Sequence, residues 1–394
     1  MAPATHPVPP EPSGYGRRSL ADLMPSLAAR LGVPGMADVL GLSGGIDSGG
    51  TDRSALMLLV DGLGAALVEE HAHLAPTLAA LTAGRSLDAG FPASTPISVA
   101  SLGTGLPPGA HGLVGLTMNV DGHVLDTLKW TVGGRDASAL AAPEQIQPYP
   151  TVFEQVRAAG FRPVVVSSYL FANSALTRAA LRGADYRGTV AHGDLAAAVL
   201  DELRVPGTLV YAYVSELDTV GHVTGPGSPA WQFQLREIDH LVALLVDGLP
   251  SGTLMTVTGD HGMVRMAGDA VVDYDETPGL QEGVRLIAGE PRVRYLHVDA
   301  ADLDAVRSRW EDVLGDEAWV GTRADIESAG LLGALPQGPR GADVRSRVGD
   351  LVVVATGMGG VVRRTAEPVV SSLIGQHGSW TDAERRVALA VHHT

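Results

Sequence analysis

The run Thr256-Val257-Thr258-Gly259-Asp260-His261-Gly262 sets an acid and an imidazole between two glycines, directly behind the apolar residues Leu254 and Met255. Asp and His offer an oxygen and a nitrogen ligand to a divalent cation, and glycine lets the backbone turn closely around it. Read alone, the run is equally a strand-to-turn junction made of ordinary turn residues. Recurrence decides between the two. Asp61-Gly62 closes the apolar run Ser54 to Val60, and Asp218 and His222 follow the run Thr208 to Val214. Asp218 and His222 are four residues apart, so one helical turn puts both on one face. His377 stands in Gly375-Gln376-His377-Gly378, and Thr95 precedes Pro96 at a helix start, Thr at the N-cap and Pro in the first turn. A hydroxyl there lies beside free backbone N–H groups that can hold an anion, although an ordinary cap reads the same way.

Together Asp61, Asp218, Asp260, His222, His261, His377 and Thr95 are enough for two divalent ions with three or four protein ligands each. Such ion pairs lie about 3.5–4 Å apart and clamp the attacking and leaving oxygens of a phosphoryl transfer. Two divalent ions among three carboxylates leave net positive charge, which favours an anionic substrate. A threonine held there is a candidate nucleophile.

These residues need a frame that brings distant stretches to one edge. From Thr151 onward strands and helices alternate: a helix over Val152 to Ala159, a strand over Pro163 to Ser168, a helix over Ala191 to Leu203, then the strands ending at Val214 and Thr258. That alternation predicts an α/β fold, a largely parallel central sheet with helices on both faces, whose ligands gather at the carboxyl ends of the strands. Residues 275–345 read differently, as a small inserted α+β lobe set to overhang the site. It carries a strand over Arg292 to Val298, half-exposed by its alternation, and a helix over Ala301 to Leu314. Leu351 to Ala355 then reads as a buried strand returning to the main sheet. The expected division is a flexible leader over 1–18, a core over 19–274 and 346–394, and the lobe between them.

Composition narrows the function classes. The chain has 394 residues, 28 basic against 44 acidic, for a formal charge of −16. That argues against binding polymeric nucleic acid. There is no cysteine, so thiolate chemistry, cysteine zinc sites and disulfides are excluded. Carboxylate and imidazole ligands suit zinc, manganese or iron, of which zinc or manganese is expected. The stretch Met1 to Gly16 has no apolar core of a signal peptide, and no run is long enough to span a membrane. The expectation is a cytoplasmic protein, monomer or homodimer, with no membrane partner. His111 is a weaker candidate beside the site, and His192, His297, His392 and His393 read as surface residues.

The motifs Asp61-Gly62, Thr95 after Phe91-Pro92, Asp218-x-x-x-His222 with Gly225-Pro226, Gly259-Asp260-His261-Gly262 and Gly375-x-His377-Gly378 resemble the alkaline phosphatase superfamily. They come in that family's order from about Arg53 to Val391. Within it they resemble the nucleotide pyrophosphatase/phosphodiesterase branch, close to phosphonoacetate hydrolases. The resemblance implies one ion on Asp218, His222 and His377, the other on Asp61, Thr95, Asp260 and His261, and Thr95 as nucleophile. It departs where relatives place a phosphate-supporting asparagine: Leu116 stands there, with Asn119 three residues on. The chain also resembles actinobacterial phosphodiesterases that cleave cyclic di-AMP, which implies a small nucleotide substrate cut to pApA and AMP. A phosphomonoesterase or a phosphonate hydrolase with the same ligands is the alternative. Bases stack on aromatic rings, and Tyr169 and Phe171, just past a strand end, are the candidates for that contact; Trp130 and Trp380 read as core-edge packing.

Overall fold

The computed structural model describes residues 10, 13–42 and 53–394. Most of the expected leader lies outside these residues; of the rest, Ser13 and Gly14 are buried and 16–18 are exposed. Tyr15 donates its hydroxyl to the Leu331 carbonyl at 3.0 Å, and Arg18 pairs with buried Asp88 at 3.2 Å.

The central sheet has seven strands, in the order Ser86–Asp88, Arg386–His393, Thr253–Thr258, Ser54–Val60, Thr208–Val214, Arg162–Ser168, Asp185–Thr189. The five strands from Thr253–Thr258 to Asp185–Thr189 are parallel, and Arg386–His393 runs against its neighbours. The expected α/β architecture is thus observed. Ser54–Val60 and Thr253–Thr258 are buried along their whole length, as strands covered on both faces must be. The pleat sends Ala55, Met57 and Leu59 into one apolar core and Leu56, Leu58 and Val60 into the other. Helices Leu20–Arg30 and Thr95–Thr104 pack in the first, and His192–Leu203 and Pro229–Gly248 in the second.

A second sheet of four antiparallel strands runs Val284–Glu290, Val293–Val298, Leu351–Ala355, Ala318–Thr322. Leu351–Ala355 therefore does not return to the main sheet, as its apolar pattern suggested. It lies between Val293–Val298 and Ala318–Thr322, where it is equally well buried. Val293–Val298 is buried throughout rather than half-exposed, because Tyr295 faces the main core while Leu296 and Val298 meet Trp310 on the other side. His297 is buried with it, not on the surface. A small antiparallel meander over 117–136, which the sequence pattern did not show, stands beside this sheet. Thr117 donates its hydroxyl to the Gly289 carbonyl at 2.7 Å. Among the described residues no helix is long and apolar enough to cross a membrane.

Candidate metal centre

Parallel register puts the chemistry on one line. Leu59 lies opposite Thr258 and Val60 opposite Val214, so three strands end level, and the Asp61 N–H donates to the Val214 carbonyl at 3.0 Å. Asp61, Asp260-His261 and the helix Glu216–Thr224 therefore start from the same edge. Gly62 turns there with a φ of +75°, and a Cβ on it would come within 3.2 Å of Asp218. Its N–H donates to Asp260 Oδ1 at 3.0 Å, as does the N–H of His261. Glycine at 262 is required for a different reason: a Cβ would stand 2.0 Å from the Ala383 carbonyl oxygen.

Thr95 is the first residue of helix Thr95–Thr104, with Ser94 at the N-cap and Pro96 in the first turn. The cap position is thus one residue earlier than the sequence pattern placed it. Thr95 Oγ1 lies 3.2 Å from His261 Nε2. The same nitrogen is 3.3 Å from Asp61 Oδ1 and 3.5 Å from Asp260 Oδ2. Asp218 and His222 share a helix face as expected, Oδ2 to Nε2 at 3.3 Å. His377 stacks on His261 with ring centroids 3.5 Å apart, and its ring is 5.1 Å from that of His222. Candidate ligand atoms of Asp61, Asp260 and His261 all lie within 4.8 Å of one another, and so do those of Asp218, His261 and His377. His261 thus belongs to both groups, while His222 reaches the second through Asp218.

The donor set fits divalent cations. Asp61 Oδ1, Asp218 Oδ1 and Asp260 Oδ2 are buried without a hydrogen-bond partner. The three histidines direct Nδ1 to backbone carbonyls: His222 to Gly375 at 2.7 Å, His261 to Gly262 at 2.9 Å and His377 to Ala93 at 2.9 Å. A carbonyl only accepts, so Nδ1 carries the hydrogen and Nε2 is left for a cation. Electrostatics point the same way. Burial, joined by the charge of Asp61, pushes Asp218 well above the ordinary carboxylate range and Asp260 up to about 7. Burial opposes the charged form of His261, but Asp260 and Asp61 outweigh it and lift the ring to about 10. Burial lowers His222, and burial with neighbouring His261 holds His377 well below the usual range. A cation among these crowded carboxylates relieves both repulsion and desolvation.

A family model for type I phosphodiesterase / nucleotide pyrophosphatase matches residues 55–380, most of the chain. The chain belongs to that family. It is a phosphoric diester hydrolase of the nucleotide pyrophosphatase/phosphodiesterase branch of the alkaline phosphatase superfamily. Murine ectonucleotide pyrophosphatase/phosphodiesterase 5, solved as an inactive form in complex with AMP, superposes with a TM-score of 0.65 at 17% identity, over 87% of this chain and 88% of that one. The human counterpart gives 0.63 at 16% identity, over 86% and 87%. At such identities the likeness is one of fold. GPI ethanolamine phosphate transferase 3 of Schizosaccharomyces pombe is 34% identical over 68 residues, which span 17% of this chain and only 7% of that relative.

A cavity of about 520 Å³ in the phosphodiesterase is lined by Asp61, Thr95, Asp218, His222 and His377 of the candidate metal centre. Val165, Phe171, Leu176 and Leu181 make an apolar wall. Leu116 lines this cavity; Asn119 does not, because its amide donates to Ser346 and its oxygen accepts from the Gly122 N–H. Phe171 lines it, edge-on to Tyr213, whereas Tyr169, 59% exposed, stays outside on the short turn Tyr169–Phe171. His111 is remote: it is fully buried between Ser101 and the Leu113 N–H, and burial lowers it to about 3. Trp130 and Trp380 pack in the core.

Three further residues at the site stand outside every motif. Tyr213 donates its hydroxyl to Asp61 Oδ2. Its signal was the Tyr211-Ala212-Tyr213 spacing, which puts both rings on one face at a strand's carboxyl end. Glu290 ends a strand of the second sheet, buried, with Oε1 unpartnered and Oε2 3.9 Å from His377 Nδ1. Lys129 reaches the cavity from the meander. Nothing local marked either of them.

Proposed function

We propose that this phosphodiesterase hydrolyses nucleotide diesters, with cyclic di-AMP as the substrate cut first to pApA and then to AMP. Thr95 is the nucleophile, and two divalent ions, zinc or manganese, sit on Asp61, Asp260 and His261 and on Asp218, His222 and His377. The observation that carries this reading is the lining of one cavity by the acidic and imidazole ligands, a helix start and an apolar wall, with room for a nucleotide. When bound, the ions neutralise the phosphate and its developing charge. The Thr95 hydroxyl forms a bond to phosphorus as the bond to one nucleoside oxygen breaks, that oxygen takes a proton, and water later frees the phosphoryl group from threonine. Tyr213 keeps Asp61 oriented by its hydroxyl. Phe171 offers a ring on which an adenine can stack, a contact worth about 1–3 kcal/mol per base. The AMP held by the murine relative supports a nucleotide here.

The test is a chromatographic time course with cyclic di-AMP, zinc and manganese in parallel. Appearance of pApA followed by AMP is the expected course. Fast cleavage of simple monoesters or of phosphonoacetate, with no AMP from cyclic di-AMP, replaces the reading with a monoesterase or phosphonate hydrolase. Phe171→Ala should raise KM for cyclic di-AMP about tenfold relative to a small chromogenic diester. Tyr169→Ala, outside the cavity, should leave that ratio alone; equal effects of the two remove Phe171 from base binding.

A further inference from the structure

One residue of the cavity has no part in the chemistry above. Lys129 is the single lysine of the chain, against 27 arginines among its 28 basic residues. Most of those arginines are engaged in ion pairs or backbone contacts, as with Arg292 on Glu384 and Arg294 on Glu367. Lys129 is held only loosely: Nζ is 3.9 Å from Asp126 Oδ2, and the side chain is 70% exposed. It nevertheless lines the cavity, on the turn between strands His123–Asp126 and Thr131–Val132. The backbone of that turn is fixed, since the Leu128 and Lys129 N–H groups both donate to Asp126 Oδ1, at 3.0 and 2.8 Å. An exposed point charge thus stands on a set base. Among the described residues lining the cavity, Asp61, Asp218 and Glu290 are acidic, and Lys129 is the one with a permanent positive charge.

We propose that Lys129 binds a second phosphate of the substrate, apart from the one that reacts, and so selects substrates with two phosphates over those with one. This rests on the reading of the cavity as a nucleotide site. The cations of the centre serve the reacting phosphate. A second phosphate in the same cavity meets carboxylates and apolar wall unless it reaches Lys129, and leaving it unpaired there costs binding. Lysine suits the role better than arginine does, because a flexible ammonium can follow a phosphate whose position shifts between a cyclic and a linear dinucleotide.

The test uses competitive inhibition, so that it reads Lys129 whether or not cyclic di-AMP is cleaved. Adenosine 3′,5′-bisphosphate and AMP are each titrated against turnover of a chromogenic diester by the metal-loaded enzyme, wild type and variants. In wild type the bisphosphate should bind about tenfold more tightly than AMP. Lys129→Ala should abolish that preference, and Lys129→Arg should keep most of it. Reductive methylation followed by peptide mass spectrometry gives a readout independent of activity. Lys129 of the wild type should be protected by the bisphosphate and by pApA far more than by AMP. Equal protection by the two, or a preference that survives in Lys129→Ala, overturns the proposal. Failure of the cyclic di-AMP time course alone touches only the substrate reading.

Discussion

The two large sheets use charge in opposite ways. In the seven-stranded sheet the parallel strands Ser54–Val60 and Thr253–Thr258 hold no charged residue, and charge begins only where they stop, at Asp61 and Asp260. Those carboxylates keep buried oxygens without a hydrogen-bond partner, and the two crowd around the single imidazole of His261. In the four-stranded sheet buried charge sits just before and within the strand Val293–Val298, and it is paired. Arg292 reaches both oxygens of Glu384, at 2.9 and 2.7 Å, and Arg294 reaches both of Glu367, at 3.2 and 2.7 Å. Glu384 also accepts from the Ser379 N–H at 3.1 Å and the Thr381 hydroxyl at 2.6 Å. Unpaired buried charge is costly unless something else binds it, whereas paired buried charge fixes one geometry. The first sheet therefore presents ligands, and the second fastens the loop that carries His377. Glu290 is the exception in the second sheet, an acid that lines the cavity with Oε1 lacking a hydrogen-bond partner and Oε2 3.9 Å from His377. Through Arg292 and Arg294 this sheet is tied to Glu384 and Glu367, on either side of His377 in the chain.

The sharpest way to break this contrast is at the edge of the first sheet. Asp260→Asn keeps the shape and the hydrogen bonds from Gly62 and His261 but removes a negative ligand. It should lower kcat/KM about a thousandfold, roughly 4 kcal/mol, with little change in the unfolding midpoint. Activity within about tenfold of wild type would take Asp260 out of the metal centre.

The second sheet should answer in stability first. Arg292→Met strands the Glu384 carboxylate and should cost about 3–5 kcal/mol in urea unfolding. Adding Glu384→Leu should recover most of that loss, because an apolar pair carries no stranded charge. If the single variant is as stable as wild type, the ion pair does not fasten the lobe.

The smallest effect concerns pH. His261 and Asp218 titrate higher in the folded chain than when unfolded, His261 at about 10 against 6.5. A raised folded pKa gives stability that is complete below the unfolded value and is lost as pH rises through the folded one. His222 and His377, lowered instead, are neutral in both states above about pH 7.5, so they do not oppose this. Metal-free protein should therefore melt lower at pH 8.5 than at pH 7.5, by roughly a few degrees. Zinc or manganese takes the place of the bound protons, so the melting temperature should rise more on metal addition at pH 8.5. A rise of equal size at both values would mean the ions bind away from these groups.

What the amino-acid order determined by itself were the strands that end in acids and histidines, and with them the fold class. An apolar run buried on both faces, an acid at its end and a helix behind it are local facts, and parallel pairing needs no more to bring such ends level. The order of motifs also pointed to the family that the chain belongs to. Tertiary structure alone decided the rest. Leu351–Ala355 is apolar enough for either sheet, and only its partners Val293–Val298 and Ala318–Thr322, distant in sequence, place it in the second. Phe171 faces the cavity and Tyr169 does not because a single short turn separates their directions. Asn119 lies near the expected place for a phosphate contact, yet the meander spends its amide on Ser346 and Gly122. Glu290, Tyr213 and Lys129 meet the site from three separate elements. Which side chains share a cavity depends on how such elements pack, and packing sums many weak contacts between residues far apart in the chain.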